Sequence, residues 1–157
     1  MNRALIDQYE AGATLPAKAI EGLSKAELNA FPVQGMWSIQ QVILHLLDSD
    51  LVGSDRMKRV ISEPDPILYA YNENLWAKNL SYERLDPALA CEIFRLNRVM
   101  TASILRTLPD AAFSRTGNHT ERGIESLEHL VKDYADHLEH HLKFVREKRQ
   151  KLGKPMA

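Results

Sequence analysis

Apolar residues recur three and four positions apart along three long stretches of the chain, which is the spacing of one face of an α-helix. The last stretch, residues 126–149, contains no glycine or proline. The spacing therefore predicts one long helix over this range. Its apolar stripe consists of Leu127, Leu130, Val131, Tyr134, Leu138, Leu142 and Val145.

A second long helix is predicted from Ser38 to about Ser62. Ser38 and Gln41 form a capping-box pattern, in which each side chain satisfies a free backbone N–H of the first turn. The prolines within residues 63–66 end the helix. Its apolar stripe consists of Ile39, Val42, Ile43, Leu46, Met57, Val60 and Ile61.

A third long helix is predicted from Asp86 to Leu108, because Asp86 is a favourable N-cap and Pro87 suits the first helical position. We expect this helix to present one apolar face. That face includes Leu89, Ile93, Leu96, Met100, Ile104 and Leu108.

The N-terminal part of the chain predicts a helix from Asn2 to Leu23, with a kink or break at Gly12 and Pro16. A further capping-box pattern, Ser24–Glu27, opens one or two helical turns. No repeat and no pair of strands stands out. Three long amphipathic helices and an N-terminal one predict an all-α four-helix bundle, with residues 1–150 as its single domain and 151–157 as a tail.

Composition narrows the classes of function. The 157 residues suffice for one domain with a core, and the 20 basic and 21 acidic residues give a net charge of −1. This charge favours neither a nucleic-acid nor a membrane partner. Cys91 is the only cysteine, which excludes an internal disulfide, and we expect it to be a small buried hydrophobic residue. Without a membrane-spanning run or a signal-peptide pattern, we expect a cytoplasmic protein.

The histidines of the last predicted helix are unevenly distributed around it. At 100° per residue, His141 and His137 lie about 40° and 80° from the centre of the apolar stripe, on one shoulder of the buried face. Two imidazoles at this i, i+4 spacing can bind one divalent ion, with a third ligand from elsewhere in the chain. The alternative is a polar border of the core. His129 and His140 lie about 140–160° away and are expected on the surface.

The second predicted helix has a face that differs from its apolar stripe. His45, Ser49, Val52 and Arg56 follow one another at spacings of four, three and four, so they share this face and could line a cleft. Asp48, one turn from His45, could orient its imidazole, or it could be a solvated carboxylate.

The linker between the second and third long helices is rich in aromatic residues. Tyr69, Tyr71 and Trp76 are too bulky for an idle surface loop, so we expect the linker, as a loop or a short helix, to cover something. The alternative is that they fill the core. His119 lies in the polar stretch of residues 115–123, where a surface loop is expected.

Taken in order, these features form one ordered pattern: W-S-x6-H-L-x-D, Y-x4-W, R-x2-R, F-x-R-x-G-x-H and H-x2-H-H-L. The pattern resembles the DinB/YfiT-like superfamily of bacterial metalloenzymes over nearly the whole chain. The residues that carry the resemblance are Trp37, Ser38, His45, Leu46, Asp48, Arg56, Tyr71, Trp76, Arg95, Arg98, Phe113, Arg115, Gly117, His119, Gly123 and the run 136–142.

The resemblance implies an up-up-down-down four-helix bundle and one divalent metal ion. Carried over by position, its ligands are His45, His137 and His141. Members often have an aspartate directly after the first histidine of the last helix, where this chain has Leu138, so any role of that aspartate is lost or moved. Histidine suits zinc, nickel, copper or iron, and we expect zinc or nickel.

Three neutral histidines with open positions are typical of a catalytic ion. The resemblance implies a thiol-dependent S-transferase or a hydrolase that acts on a small molecule, with a low-molecular-weight thiol as a second partner in the first case. Arg56 is expected to contact a carboxylate of substrate or thiol, unless it forms a surface salt bridge. Tyr71, Trp76 and His119 are expected at the pocket rim.

The resemblance also implies a homodimer. The sequence also allows a function other than catalysis. In that case the protein is a non-catalytic dimeric bundle whose metal is structural or binds a ligand.

Overall fold

The computed structural model describes residues 3–156 and is mostly helical. Four helical segments form a bundle, as predicted, and the first of them is split into two helices. The helices are α1 (Ala4–Ala11), α2 (Leu15–Ile20), α3 (Lys25–Asn29), α4 (Ile39–Ser62), α5 (Glu73–Asn79), α6 (Pro87–Thr107) and α7 (Leu127–Lys151). Short 3-10 turns occupy Gly12–Thr14, Tyr82–Arg84 and Asp110–Ser114.

The helices begin where the capping patterns predict. The hydroxyl of Ser38 accepts a hydrogen bond from the Gln41 N–H at 3.2 Å, and the Gln41 side chain accepts one from the Ser38 N–H at 2.9 Å. Asp86 caps α6 by accepting from the backbone N–H of Ala88 at 2.8 Å. These bonds satisfy N–H groups that have no partner within the helix.

The N-terminal segment breaks at the predicted place. A Cβ at Gly12 would lie 2.5 Å from Leu138 Cδ2 and 2.8 Å from Arg98 Nη1. Only glycine therefore fits where this segment meets α6 and α7 so closely. The predicted start of the helix, at Asn2, lies outside the described residues.

The directions of the helices follow from the two clusters of the core. One cluster joins the start of α1, the ends of α4 and α6, and the start of α7. The other joins α2, the starts of α4 and α6, and the end of α7. Helices α4 and α6 therefore run antiparallel to α1 and α7. The order is up, down, down, up, which corrects the up-up-down-down order that the resemblance implied. Since α4 and α6 are parallel, residues 63–86 must cross back along the bundle between them.

Helix α6 turns a different face inward from the one expected of its apolar stripe. Leu89, Ile93, Leu96 and Met100 are exposed, by 38 to 61%. The buried face is instead made of small, aromatic and polar residues: Ala90, Cys91, Phe94, Arg98, Thr101, Ala102 and Leu105. The small side chains let α6 approach its neighbours closely, and Arg98 is buried because it finds partners. Cys91 is buried as predicted, and burial raises the pKa of its thiol to about 12.

A buried ion pair ties the four long segments together. Arg98 of α6 donates to Asp50 of α4 at 2.8 Å, to the Tyr9 carbonyl of α1 at 3.0 Å and to the Tyr134 carbonyl of α7 at 2.7 Å. Asn97 donates to the other oxygen of Asp50 at 2.8 Å. In this layer, which consists of Arg98, Asp50 and their partners, both charges therefore have hydrogen-bond partners. A charge can be buried only under this condition.

A small three-stranded sheet, which the sequence patterns did not reveal, lies at one end of the bundle. Strand β1 (Ile67–Leu68) pairs in parallel with β2 (Thr116–His119), and β2 forms a hairpin with β3 (Gly123–Ser126). The sheet attaches the crossover segment to the hairpin before α7. None of the helices in residues 3–156 combines the length and the apolar character needed to span a membrane.

Candidate metal centre

Three imidazoles converge between α4 and α7. His45 of α4 faces His137 and His141, which lie one turn apart on the antiparallel α7. The Nε2 atoms of His45 and His137 are 3.2 Å apart, and one nitrogen from each of the three rings lies within 4.8 Å of the others. The three histidines that the sequence singled out are therefore close enough to hold one ion.

The separation between the His45 and His137 nitrogens fits a metal site. Zinc–nitrogen bonds of about 2.0–2.1 Å in a tetrahedral site place two ligand nitrogens about 3.3 Å apart, close to the observed 3.2 Å. His45 is only 1% exposed, and Trp37 packs edge-on against it with ring centroids 5.0 Å apart.

Of the two roles left open for Asp48, the orientation of the His45 imidazole is wrong. Its carboxylate accepts a hydrogen bond from the Tyr82 hydroxyl, and it does not orient the His45 imidazole. The Nδ1 atom of His45 is buried without a hydrogen-bond partner. Nε2, which faces the other rings, is therefore the nitrogen that is placed to ligate an ion.

The environment keeps the three rings neutral. Burial lowers the pKa of His45, His137 and His141 to about 3 each, and a neighbouring imidazole of the cluster acts in the same direction on each ring. Because a metal ligand must be the neutral imidazole, no proton has to be displaced near neutral pH.

A polar cleft of about 250 Å³ opens onto this cluster. It lies between α4, α7, the hairpin and the linker before α5. Its lining residues are His45, Ser49, Arg56, Ala70, Tyr71, Glu73, His119, Glu121, Arg122, Asp133, Tyr134 and His137. Of the predicted cleft face of α4, His45, Ser49 and Arg56 line this cavity, whereas Val52 lines a neighbouring groove.

Arg56 is a buried guanidinium without a carboxylate partner. It is 5% exposed, donates to the Tyr134 hydroxyl at 2.8 Å and to the Tyr69 carbonyl at 2.5 Å, and its Nε has no partner. Within residues 3–156 it forms no ion pair, so the alternative prediction that Arg56 forms a surface salt bridge is wrong. Arg122, the other guanidinium of the cleft, pairs with Glu125 at 2.8 Å.

His119 is buried in β2, at 5% exposure, although a surface loop was expected. Its Nδ1 accepts the backbone N–H groups of Glu121 and Arg122, both at 3.2 Å, and so closes the β2–β3 turn. In the neutral ring the proton is therefore on Nε2. Burial lowers the His119 pKa, and the charges of Arg56 and Arg122 act in the same direction.

Two aromatic residues of the linker, Tyr71 and Trp76, pack against each other but have different positions. Tyr71 lines both the cleft and a neighbouring groove, whereas Trp76 lines only the groove. Their rings are tilted by 46° with centroids 4.6 Å apart. Burial raises the pKa of Tyr71, so its hydroxyl stays protonated. The linker therefore covers the cleft, as expected, with Tyr71 as its inner wall.

Glu73 is the residue of this site that sequence reasoning missed. Its Oε2 lies 3.6 Å from His45 Nε2, at the start of the short helix α5. The available signal was local: Asn72 caps α5 through a hydrogen bond from the Leu75 N–H, and this cap fixes Glu73 in the first turn, two residues after Tyr71.

Known proteins share both the sequence and the fold of this chain. YfiT of Bacillus subtilis strain 168 is 28% identical over 143 residues, which are 88% of this chain and 80% of YfiT. A relative from Oceanobacillus iheyensis is 29% identical over 140 residues, covering 89% of this chain and 81% of the relative. Both names provisionally class these relatives as metal-dependent hydrolases.

The solved structure of YfiT, described as an unusual four-helix bundle, superposes with a TM-score of 0.90 at 26% identity. The match covers 96% of this chain and 86% of the YfiT chain. The sequence model of the DinB superfamily matches residues 8–145. The resemblance noted in the sequence is thereby confirmed, and this chain belongs to the DinB superfamily.

Proposed function

We propose that the protein is a metal-dependent hydrolase of small molecules, with one divalent ion held by His45, His137 and His141. The observation that supports this most directly is the convergence of three neutral imidazoles at a polar cleft. When bound, such an ion supplies Lewis-acid polarisation of a substrate oxygen and lowers the pKa of water. The hydrolase class of the relatives agrees with this chemistry.

Arg56 binds and orients the substrate in this proposal. Its charge is buried without a counter-ion among the described residues, and its Nε retains a free N–H. A carboxylate or phosphate on the substrate would supply the missing partner, in a position fixed by the bonds from Arg56 to Tyr134 and Tyr69.

Two further groups can handle protons. Glu73 lies beside the histidine cluster, with its Oε2 3.6 Å from His45 Nε2, and in this proposal it accepts a proton from the attacking water. His119 holds its proton on Nε2 inside the cleft and donates a hydrogen bond to the substrate. Tyr71 shields this space from solvent.

Turnover of small esters and amides by the zinc- or nickel-loaded protein tests the proposal. We expect Glu73→Gln to keep the metal and lose at least about 100-fold in kcat, since general-base catalysis contributes about 10²–10⁴-fold. Arg56→Lys should raise KM for anionic substrates only. Arg59→Lys is the matched control, because Arg59 lies on the same helix but pairs on the surface with Asp55.

Two outcomes would overturn parts of this assignment. Loss of metal in Glu73→Gln would make Glu73 a ligand and not a proton acceptor. Turnover that requires an added low-molecular-weight thiol would instead favour the S-transferase, which stays a prediction, as do the homodimer and the cytoplasmic location.

A further inference from the structure

A second cavity lies on the other side of the histidine cluster. It has a volume of about 180 Å³ and is lined by His141, whereas His45 and His137 line the polar cleft. Glu73 borders both cavities. The three imidazoles therefore stand between two cavities of different character.

The walls of the second cavity are largely apolar. Its remaining lining residues are Gly35, Met36, Trp37, Val42, Asn74, Phe144 and Lys148. Sites for drug-sized ligands measure about 300–1,000 Å³, so this cavity accepts a small aryl or alkyl group.

Lys148 is the only cationic residue of this lining, and it is 1% exposed. Among residues 3–156 its ammonium has no hydrogen bond and no ion pair, and it lies 5.7 Å over the Phe144 ring. The adjacent Arg149 is also buried but donates to three backbone carbonyls, those of Ala19, Glu21 and Lys154. A buried charge without a partner costs stability, which a bound anion would restore.

The position of Lys148 on α7 connects it to the histidines. It follows His141 by seven residues, so the two side chains share a face and their Cα atoms are separated by about 10 Å along the helix. The carboxylate of Glu73, which also lines the cavity and lies 3.6 Å from His45 Nε2, repels an anionic group at the histidine end. An anion in the cavity is therefore favoured at the Lys148 end.

We propose that this cavity binds the apolar part of a small monocarboxylate whose carboxylate pairs with Lys148. This inference names a substrate class for the proposed hydrolase, and its relevance to catalysis rests on that proposed function. The hydrolysed bond would lie at the histidines, and the substrate would carry a free carboxylate at the far end of an aryl or alkyl chain.

Binding of 3-phenylpropionate and of its neutral amide tests the inference by calorimetry, on zinc-loaded and on chelator-treated protein. We expect the wild type to bind the acid at least about 10-fold more tightly than the amide, because a hydrogen bond between two charged groups is stronger than one between neutral groups. Lys148→Met should abolish this preference. Lys143→Met, which changes an exposed lysine of the same helix, should leave it intact.

The melting temperature provides a second readout. Lys148→Met should melt above the wild type, since it removes an unpaired buried charge, and Lys148→Gln is the second variant for the binding test. Equal preference for the acid in wild type and both Lys148 variants would overturn the inference. So would binding that disappears with chelator and ignores Lys148, because the metal would then be the partner of the anion.

This binding test separates the two proposals. If the preference for the acid depends on Lys148 while no ester or amide is hydrolysed, the subsite stands and the hydrolase assignment fails. If hydrolysis occurs without any effect of Lys148 on binding, the hydrolase stands and the subsite fails.

Discussion

The bundle contains two buried polar layers, which differ in whether their polar groups all have hydrogen-bond partners. In the first, Arg98 and Asp50 pair at 2.8 Å, and Arg98 also reaches two backbone carbonyls. In the second, His45 Nδ1 and Arg56 Nε are buried without partners. Asp50 follows His45 by five positions on α4. The satisfied layer holds the helices together, whereas the incompletely satisfied layer is the one that we propose binds a metal and a ligand.

Removal of Arg98 should produce the largest loss of stability. Arg98→Leu leaves the Asp50 carboxylate buried without a cation, which costs about 3–5 kcal/mol in the free energy of unfolding. Urea denaturation measures the loss. Arg95→Leu is the control, since Arg95 pairs with Glu92 at the surface and should cost less than about 1 kcal/mol. Equal effects of the two substitutions would remove the distinction between the layers.

Removal of a histidine from the second layer should act on the metal instead. His141→Ala should weaken zinc binding by at least about 100-fold, because even indirect partners of a metal ligand contribute 10- to 100-fold. In the presence of chelator, its free energy of unfolding should stay within about 1 kcal/mol of the wild type. His140→Ala, the exposed neighbour, should change neither quantity, and a metal affinity that depends on His140 would contradict the site.

Gly53 lies directly against Tyr134, whose backbone carbonyl belongs to the first layer and whose hydroxyl belongs to the second. A Cβ at this position would lie 2.5 Å from two carbons of the Tyr134 ring, and the Tyr134 hydroxyl holds Arg56. Gly53→Ala should therefore cost about 1–3 kcal/mol by overpacking and weaken the binding of anionic substrates. Lys58→Ala, at an exposed site of the same helix, should do neither. Unchanged stability of Gly53→Ala would show that Tyr134 moves freely.

The smallest expected effect is the pH dependence of the metal-free protein. The pKa of His137 is lowered to about 3 in the folded state from an ordinary 6.5. The unfolded chain therefore binds the proton more readily, and stability is lost as pH falls from about 6.5 toward 3. Over this range the wild type should lose more stability than His137→Leu, which has no imidazole to protonate at this position. If the stability of the two proteins fell equally with pH, burial would not lower the pKa of His137.

The sequence predicted the parts of the fold that depend on local chemistry. The capping boxes and N-caps located the starts of α3, α4 and α6, because their hydrogen bonds lie within four residues. Helical spacing also placed His137 and His141 on one shoulder of α7. The third histidine, His45, required the family resemblance as well as its position on a second face of α4.

The parts that were missed depend on contacts distant in the sequence. Strand β1 has two residues, and its partners near Asn118 lie about fifty positions away, so no local pattern marks it. The inward face of α6 was misjudged because Arg98 is buried through Asp50 of another helix. Glu73 and the direction of the crossover depend on how residues 63–86 return along the bundle.

Metal content tests the central claim most directly. Untagged protein, incubated with zinc or nickel and then freed of excess ion, should contain about one equivalent by mass spectrometry. His45→Ala and His137→Ala should contain almost none while staying helical. Absence of metal from the wild type, or its retention in both variants, would contradict the three-histidine centre.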